Sequence, residues 1–145
     1  MIRHVWSVLC TKSSIDSDTN NISLFEILEQ IQVSQFPEPA GDAITVVPMP
    51  VELVSLWTRE PVGEPQQGEC RLTMYSPRGK SLSSPPQVMD LSKYRRFRSR
   101  FQIPGLPLDG PGLCEVEVQF RGGSEAEWNT VARVPIEVNQ GIPAS

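Results

Sequence analysis

Arg96, Arg98 and Arg100, in the run YRRFRSRFQI, are the residues whose type and spacing point most directly to chemistry. On an extended chain, residues two apart leave one face at intervals of about 6.6 Å, and Lys93 and Arg95 lengthen the row. Such a ladder can hold anionic groups, and Tyr94, Phe97 and Phe101 could support a nucleic-acid stripe. A salt-bridged solvent face is nevertheless the leading expectation for this row, ahead of a polar partner-binding face and of nucleic acid. If residues 94–103 form a hairpin with 113–121 and Phe101 lies opposite Val116, Arg100 faces Glu117 and Arg98 faces Gln119. The same register sets Gln102 opposite Glu115 and leaves Arg96 against Arg121. One strand further, with Phe120 opposite Trp128, Glu115 meets Arg133. Opposed charges of this kind add about 0.2–1 kcal/mol each and neutralise the row locally.

The other candidate groups are sparse. His4 is the sole histidine, and Cys10, Cys70 and Cys114 are dispersed without a CxxC or HxxxH spacing that could begin a zinc site. Each cysteine sits in an apolar stretch (VWSVLC, ECRLTM, LCEVEV), so unpaired, buried thiols on inward faces are expected. Asp16, Asp18, Asn20 and Asn21 alternate like calcium ligands, but the glycine and distal glutamate of an EF-hand are missing. Asp16 or Asp18 with Asp42, or Asp90 with Asp109, would be the acid/base pairs of a hydrolytic enzyme; turn aspartates are the simpler expectation. The segment GLPLDGPG lacks the Lys-Ser/Thr ending of a phosphate loop, and no GxSxG occurs. No catalytic residue, cofactor site or metal site is assigned.

The elements that must position these groups are short strands. Residues 4–12 read as a strand with His4, Trp6, Val8 and Cys10 on one face, followed by an Asp/Asn-rich loop. Residues 22–33 (ISLFEILEQIQV) fit both periods: Leu24, Ile27, Leu28 and Ile31 make a helical stripe, whereas Phe25, Ile27, Ile31 and Val33 share a strand face. A strand returning antiparallel to 4–12 is expected, with a helix as the alternative. QFPEPAGDAITVVPMP reads as a connector with at most an edge strand at 44–47. Strands follow at 51–59 and 69–76; in the second, Cys70, Leu72 and Met74 oppose Arg71, Thr73 and Tyr75. SPRG is a turn, and KSLSSPPQV and PGLPLDGPG are loops. Residues 94–103, 113–121 and 128–138 alternate so regularly that a three-strand meander is expected, with Trp128, Ala132, Val134, Ile136 and Val138 buried.

Seven or eight short strands imply an all-β fold, an antiparallel immunoglobulin-like β-sandwich, over residues 1–140 with a tail at 141–145. The 145 residues are one domain's worth, and 14 prolines are incompatible with a helical bundle. A net charge of −4 argues against nucleic acid as the partner. No apolar run is long enough for a membrane span and MIRHVWSVLCTKSS is not a signal peptide, so a cytoplasmic location without membrane contact is expected. The order of SLFEILEQIQV, FPEP, SPRG and the closing LCEVEVQF and VPIEV resembles a family of short uncharacterised bacterial proteins, a domain of unknown function built as one β-sandwich. That resemblance implies a non-enzymatic protein and transfers no site residue. A non-catalytic binding or protein-interaction module is the leading expectation, with a protein partner or self-association as the candidate interaction and Arg96, Arg98 and Arg100 as the candidate partner-binding face. The alternative is a structural subunit of a larger, phage-like or particle assembly.

Overall fold

The alternation of apolar and polar side chains does produce strands, and they sort into two sheets. A computed structural model describes residues 1–38, 41, 43–60 and 67–141, and among these it contains ten strands and no helix. In chain order they are β1 (Ile2–Ile15), β2 (Ile22–Ile27), β3 (Gln30–Val33), β4 (Val47–Arg59), β5 (Gln67–Tyr75), β6 (Ser81–Ser83), β7 (Gln87–Asp90), β8 (Arg96–Leu106), β9 (Gly112–Arg121) and β10 (Asn129–Gln140). The first sheet runs β2-β1-β4-β8; the second runs β3-β10-β9-β5-β6, with β7 also on β5. Every pairing is antiparallel except β3 with β10. Leu9, Leu53, Trp57 and Ile103 of the first sheet share one apolar core with Cys70, Leu72, Val116, Val118 and Ile136 of the second. Each fully buried side chain of that size is worth about 1.5–3 kcal/mol, so this shared interior fixes which face of each strand looks inward.

Several expectations are corrected. Residues 22–33 are neither one strand nor a helix. The hairpin of β1 with β2 forms as expected, pairing Cys10 with Ile27 and Lys12 with Phe25. Glu26 then takes a left-handed conformation (φ 53°), and the chain crosses to the other sheet. Leu28 N–H donates to Leu9 O while Glu29 O accepts from Glu137 N–H, one bond in each sheet. Both periods fitted the segment because its two halves face different neighbours. The proline connector is in part a strand: β4 runs through Pro48 and Pro50, where a register shift spares the ladder the missing donors. KSLSSPPQV is no plain loop either, since β6 and β7 lie within it and both pair with β5.

The meander is also overturned. β9 and β10 form the expected hairpin, but β8 belongs to the other sheet, paired with β4 from Val47–Leu106 to Thr58–Arg96. Its reach through the expected loop to Leu106 depends on Gly105, where a Cβ would come within 2.6 Å of Val47 O. Leu106 and Leu108, from the same presumed loop, are fully buried. Arg100 therefore never meets Glu117. Asp42 and residues 142–145 lie outside the described residues, so neither the Asp42 pairing nor most of the expected tail is placed.

Candidate functional site

β8 keeps its predicted faces in a different setting. Ser99 and Ile103 are buried on the inward side, with Phe97 and Phe101 half-buried against the core. Arg96, Arg98 and Arg100 take the outer face. Across the sheet, Arg98 is in register with Leu56 and Trp6, Arg100 with Val54 and Val8, and Gln102 with Glu52 and Cys10. A bulge between His4 and Trp6 makes this alignment possible. It turns His4 inward, edge-on to Trp57 at 5.2 Å, and leaves Trp6, Val8 and Cys10 outward. The expected common face of these four residues is thus divided.

The outer face is partly roofed. Val54 and Cys10 are fully buried although neither belongs to the shared core. The contacts identify what covers them: Ser13 Oγ donates to Glu52 Oε2 at 2.5 Å, and Arg98 Nη2 donates to Asn20 O. The β1–β2 hairpin therefore folds back over its own sheet. Its tip is set by Asp16, whose Oδ1 accepts from the N–H groups of Asp18 and Thr19, and by Asn20 at φ 60°. Those donors hold the Asp16 carboxyl below the usual range.

Between this tip and the start of β8 lies a cleft of about 640 Å³. Trp6, Leu56 and Ile22 supply its apolar surface; Asn20, Asn21, Tyr94, Arg95, Arg96 and Arg98 supply the polar one. The three arginines of the ladder are not equivalent. Arg100 Nη2 lies 3.5 Å from Glu52 Oε1, which also accepts from Gln102 Nε2 at 3.0 Å. Burial would raise the Glu52 pKa, but Ser13, Gln102 and Arg100 together outweigh it and hold the carboxyl below its ordinary value. Arg98 has Nη2 satisfied by Asn20, while its buried Nη1 has no acceptor among the described residues. Arg95 and Arg96 are exposed and, among the described residues, in no ion pair. The expected neutralisation of the ladder thus holds for Arg100 alone, through a different carboxylate.

Compensation is concentrated on the outer face of the second sheet. Arg133, expected opposite Glu115, is in register with Glu117 instead because Phe120 pairs with Asn129 and a bulge follows. Its Nε lies 3.1 Å from Glu117 and 3.8 Å from Glu115, and Arg121 pairs with Glu69 at 2.6 Å. Trp128, expected in the core, is instead half-buried on that face between the guanidinium groups of Arg71 and Arg121, at 4.4 and 4.2 Å from its centroid. It lies just before β10, where strand alternation no longer governs its direction.

The remaining candidates resolve into structural roles. All three cysteines are free and buried, as expected, but Cys10 is on the outer side beneath the hairpin. Burial pushes the Cys70 and Cys114 thiols up to about 11, which suppresses the nucleophilic thiolate. His4 Nε2 is 2.7 Å from Ser7 Oγ, which is 2.6 Å from Ser55 Oγ. A serine beside a histidine has the form of a nucleophile and base, yet this chain runs along the inner face next to Trp57 and serves to satisfy its own polar atoms. Asp90 binds the N–H and hydroxyl of Ser92; Asp109 binds Ser76 Oγ and Arg78 N–H. Both are engaged in turns. Among the described residues, no group of three or more His, Cys, Asp or Glu side chains could hold a metal ion. No helix among them is long and apolar enough to cross a membrane. No protein-family model matches the chain, and no curated protein matches it.

Proposed function

We propose that the protein is a non-catalytic interaction module, an immunoglobulin-like β-sandwich whose arginine cleft binds an acidic polypeptide segment of a protein partner. Strand order supports the fold. If β4, β5, β6, β8, β9 and β10 are read as B, C, C′, E, F and G, then β10-β9-β5-β6 is the G-F-C-C′ sheet. On this reading the β1–β2 hairpin occupies the position beside B, where strand A would stand.

The observation that carries the functional reading is Arg98. A buried guanidinium N–H without an acceptor costs about 1–3 kcal/mol, and a carboxylate in the cleft would remove that cost through a charge-assisted hydrogen bond. Arg95 and Arg96 at the same mouth add positive charge that no carboxylate among the described residues pairs, and Tyr94 and Trp6 add rigid contact surface. The test is titration with an oligoglutamate peptide, read by calorimetry and tryptophan fluorescence. Binding should weaken steeply with salt, and Arg96→Ala with Arg98→Ala should reduce affinity about tenfold or more. Tighter binding of single-stranded nucleic acid than of peptide, or peptide binding indifferent to both substitutions, would overturn the proposal.

A further inference from the structure

We infer that the acidic segment docks as an added β-strand on the free edge of β8, with acidic side chains over the arginines and an apolar side chain in a pocket beneath. This rests on the proposed recognition of acidic polypeptide and specifies its mode.

The first sheet ends at β8. Arg59 N–H donates to Arg95 O, so the main-chain groups of the odd-numbered residues of β8 point toward β4. Those of Arg96, Arg98, Arg100 and Gln102 point away, because successive residues of an antiparallel strand alternate sides. They have no main-chain partner among the described residues. In the immunoglobulin-like order A-B-E-D, strand E is followed by D. Here the strand preceding β8, β7, pairs with β5 instead, so no strand among the described residues takes the D position.

The two sides of that position differ in chemistry. On the outer side stand Arg96, Arg98 and Arg100, and residues directly opposite on an added strand would project over the same face. On the inner side an apolar pocket of about 290 Å³ opens between β8 and β6, lined mainly by Leu72, Met74, Leu82, Pro85, Phe101 and Ile103. An occupant matching both sides alternates acidic with apolar residues. A second copy does not fit, because β8 paired antiparallel with itself sets arginines against arginines. Nucleic acid offers neither the ladder of amide donors and acceptors nor an aliphatic side chain for the pocket. Main-chain bonds would give affinity, and the alternate side chains would give selectivity.

The experiment compares three peptides of about eight residues. One alternates glutamate and valine, one has the same composition in two blocks, and one is the alternating peptide N-methylated at the residues whose N–H would face β8. The alternating peptide should bind about tenfold or more tighter than the block peptide, and N-methylation should abolish that advantage. Hydrogen exchange should slow at the amides of Arg96, Arg98, Arg100 and Gln102 and stay unchanged at Phe97 and Phe101. Equal binding of the block and alternating peptides, or unprotected even-numbered amides in a saturated complex, overturns strand addition while acidic recognition stands. Failure of every acidic peptide overturns both.

Discussion

The polar residues that matter for stability are the few that the fold takes out of water. His4 is half-buried among Ser7 and Trp57, and burial holds its pKa below the ordinary 6.5. Below that pH the unfolded chain binds a proton that the folded chain resists, so stability falls as pH drops from 6.5 toward the folded value and levels off beneath it. Melting temperatures measured across that window should decline for the native protein and flatten in His4→Gln; parallel curves would remove His4 from the account. Glu52 behaves in the same direction at lower pH. Its depressed pKa contributes stability above the ordinary 4.5 that is lost as pH falls through the folded value. Glu52→Ala leaves Arg100, Ser13 and Gln102 without their shared acceptor and should cost about 1–3 kcal/mol at neutral pH. Denaturant unfolding checks the size, and a loss below a few tenths of a kcal/mol would show the cluster to be well solvated.

Strand faces were legible where alternation was strict, while strand neighbours were not. Phe97, Phe101 and Ile103 of β8, and Cys114, Val116, Val118 and Phe120 of β9, look inward as their period of two requires. That period is identical whether β8 pairs with β9 or with β4, so a meander and two separate sheets share one pattern. The same ambiguity hid the origin of the cleft. Nothing in ISLFEI announces that the β1–β2 hairpin bends back over its own sheet, and the bulge after His4 shifts Trp6 to the outer face by one unpaired residue. The hairpin also defines a local opening unit, because it covers Cys10 while the shared core encloses Cys70 and Cys114. A thiol reagent followed by mass mapping should therefore modify Cys10 first, at a rate set by hairpin opening rather than global unfolding. Asn20→Val, which forces a β-branched residue into a left-handed turn, should accelerate Cys10 alone. Simultaneous modification of all three thiols would show that the hairpin does not open independently.

Across the whole molecule, a net charge of −4 coexists with an exposed strand edge that carries positive charge. Among the described residues no strand pairs with the outer edge of β8, eleven residues long. Such an edge is an open template for self-pairing, and natural sheets guard such edges with charge. In β8 the guard is the ladder itself: two copies meeting antiparallel would oppose like charges along their length, whereas an acidic strand would meet complementary ones. On the proposed reading, one row of side chains would refuse the chain's own copy and admit a partner of opposite sign. Replacing Arg96 and Arg98 by Thr removes that refusal and raises strand propensity, while Arg100 remains to pair with Glu52. The doubly substituted protein should dimerise with rising concentration in sedimentation velocity. The native chain should remain a monomer at about 0.1 M salt and begin to associate near 1 M, where the screening length falls from about 10 to about 3 Å. A single monomeric boundary for the variant at every concentration and salt would show that β8 does not self-pair even when discharged, and that its arginines guard nothing.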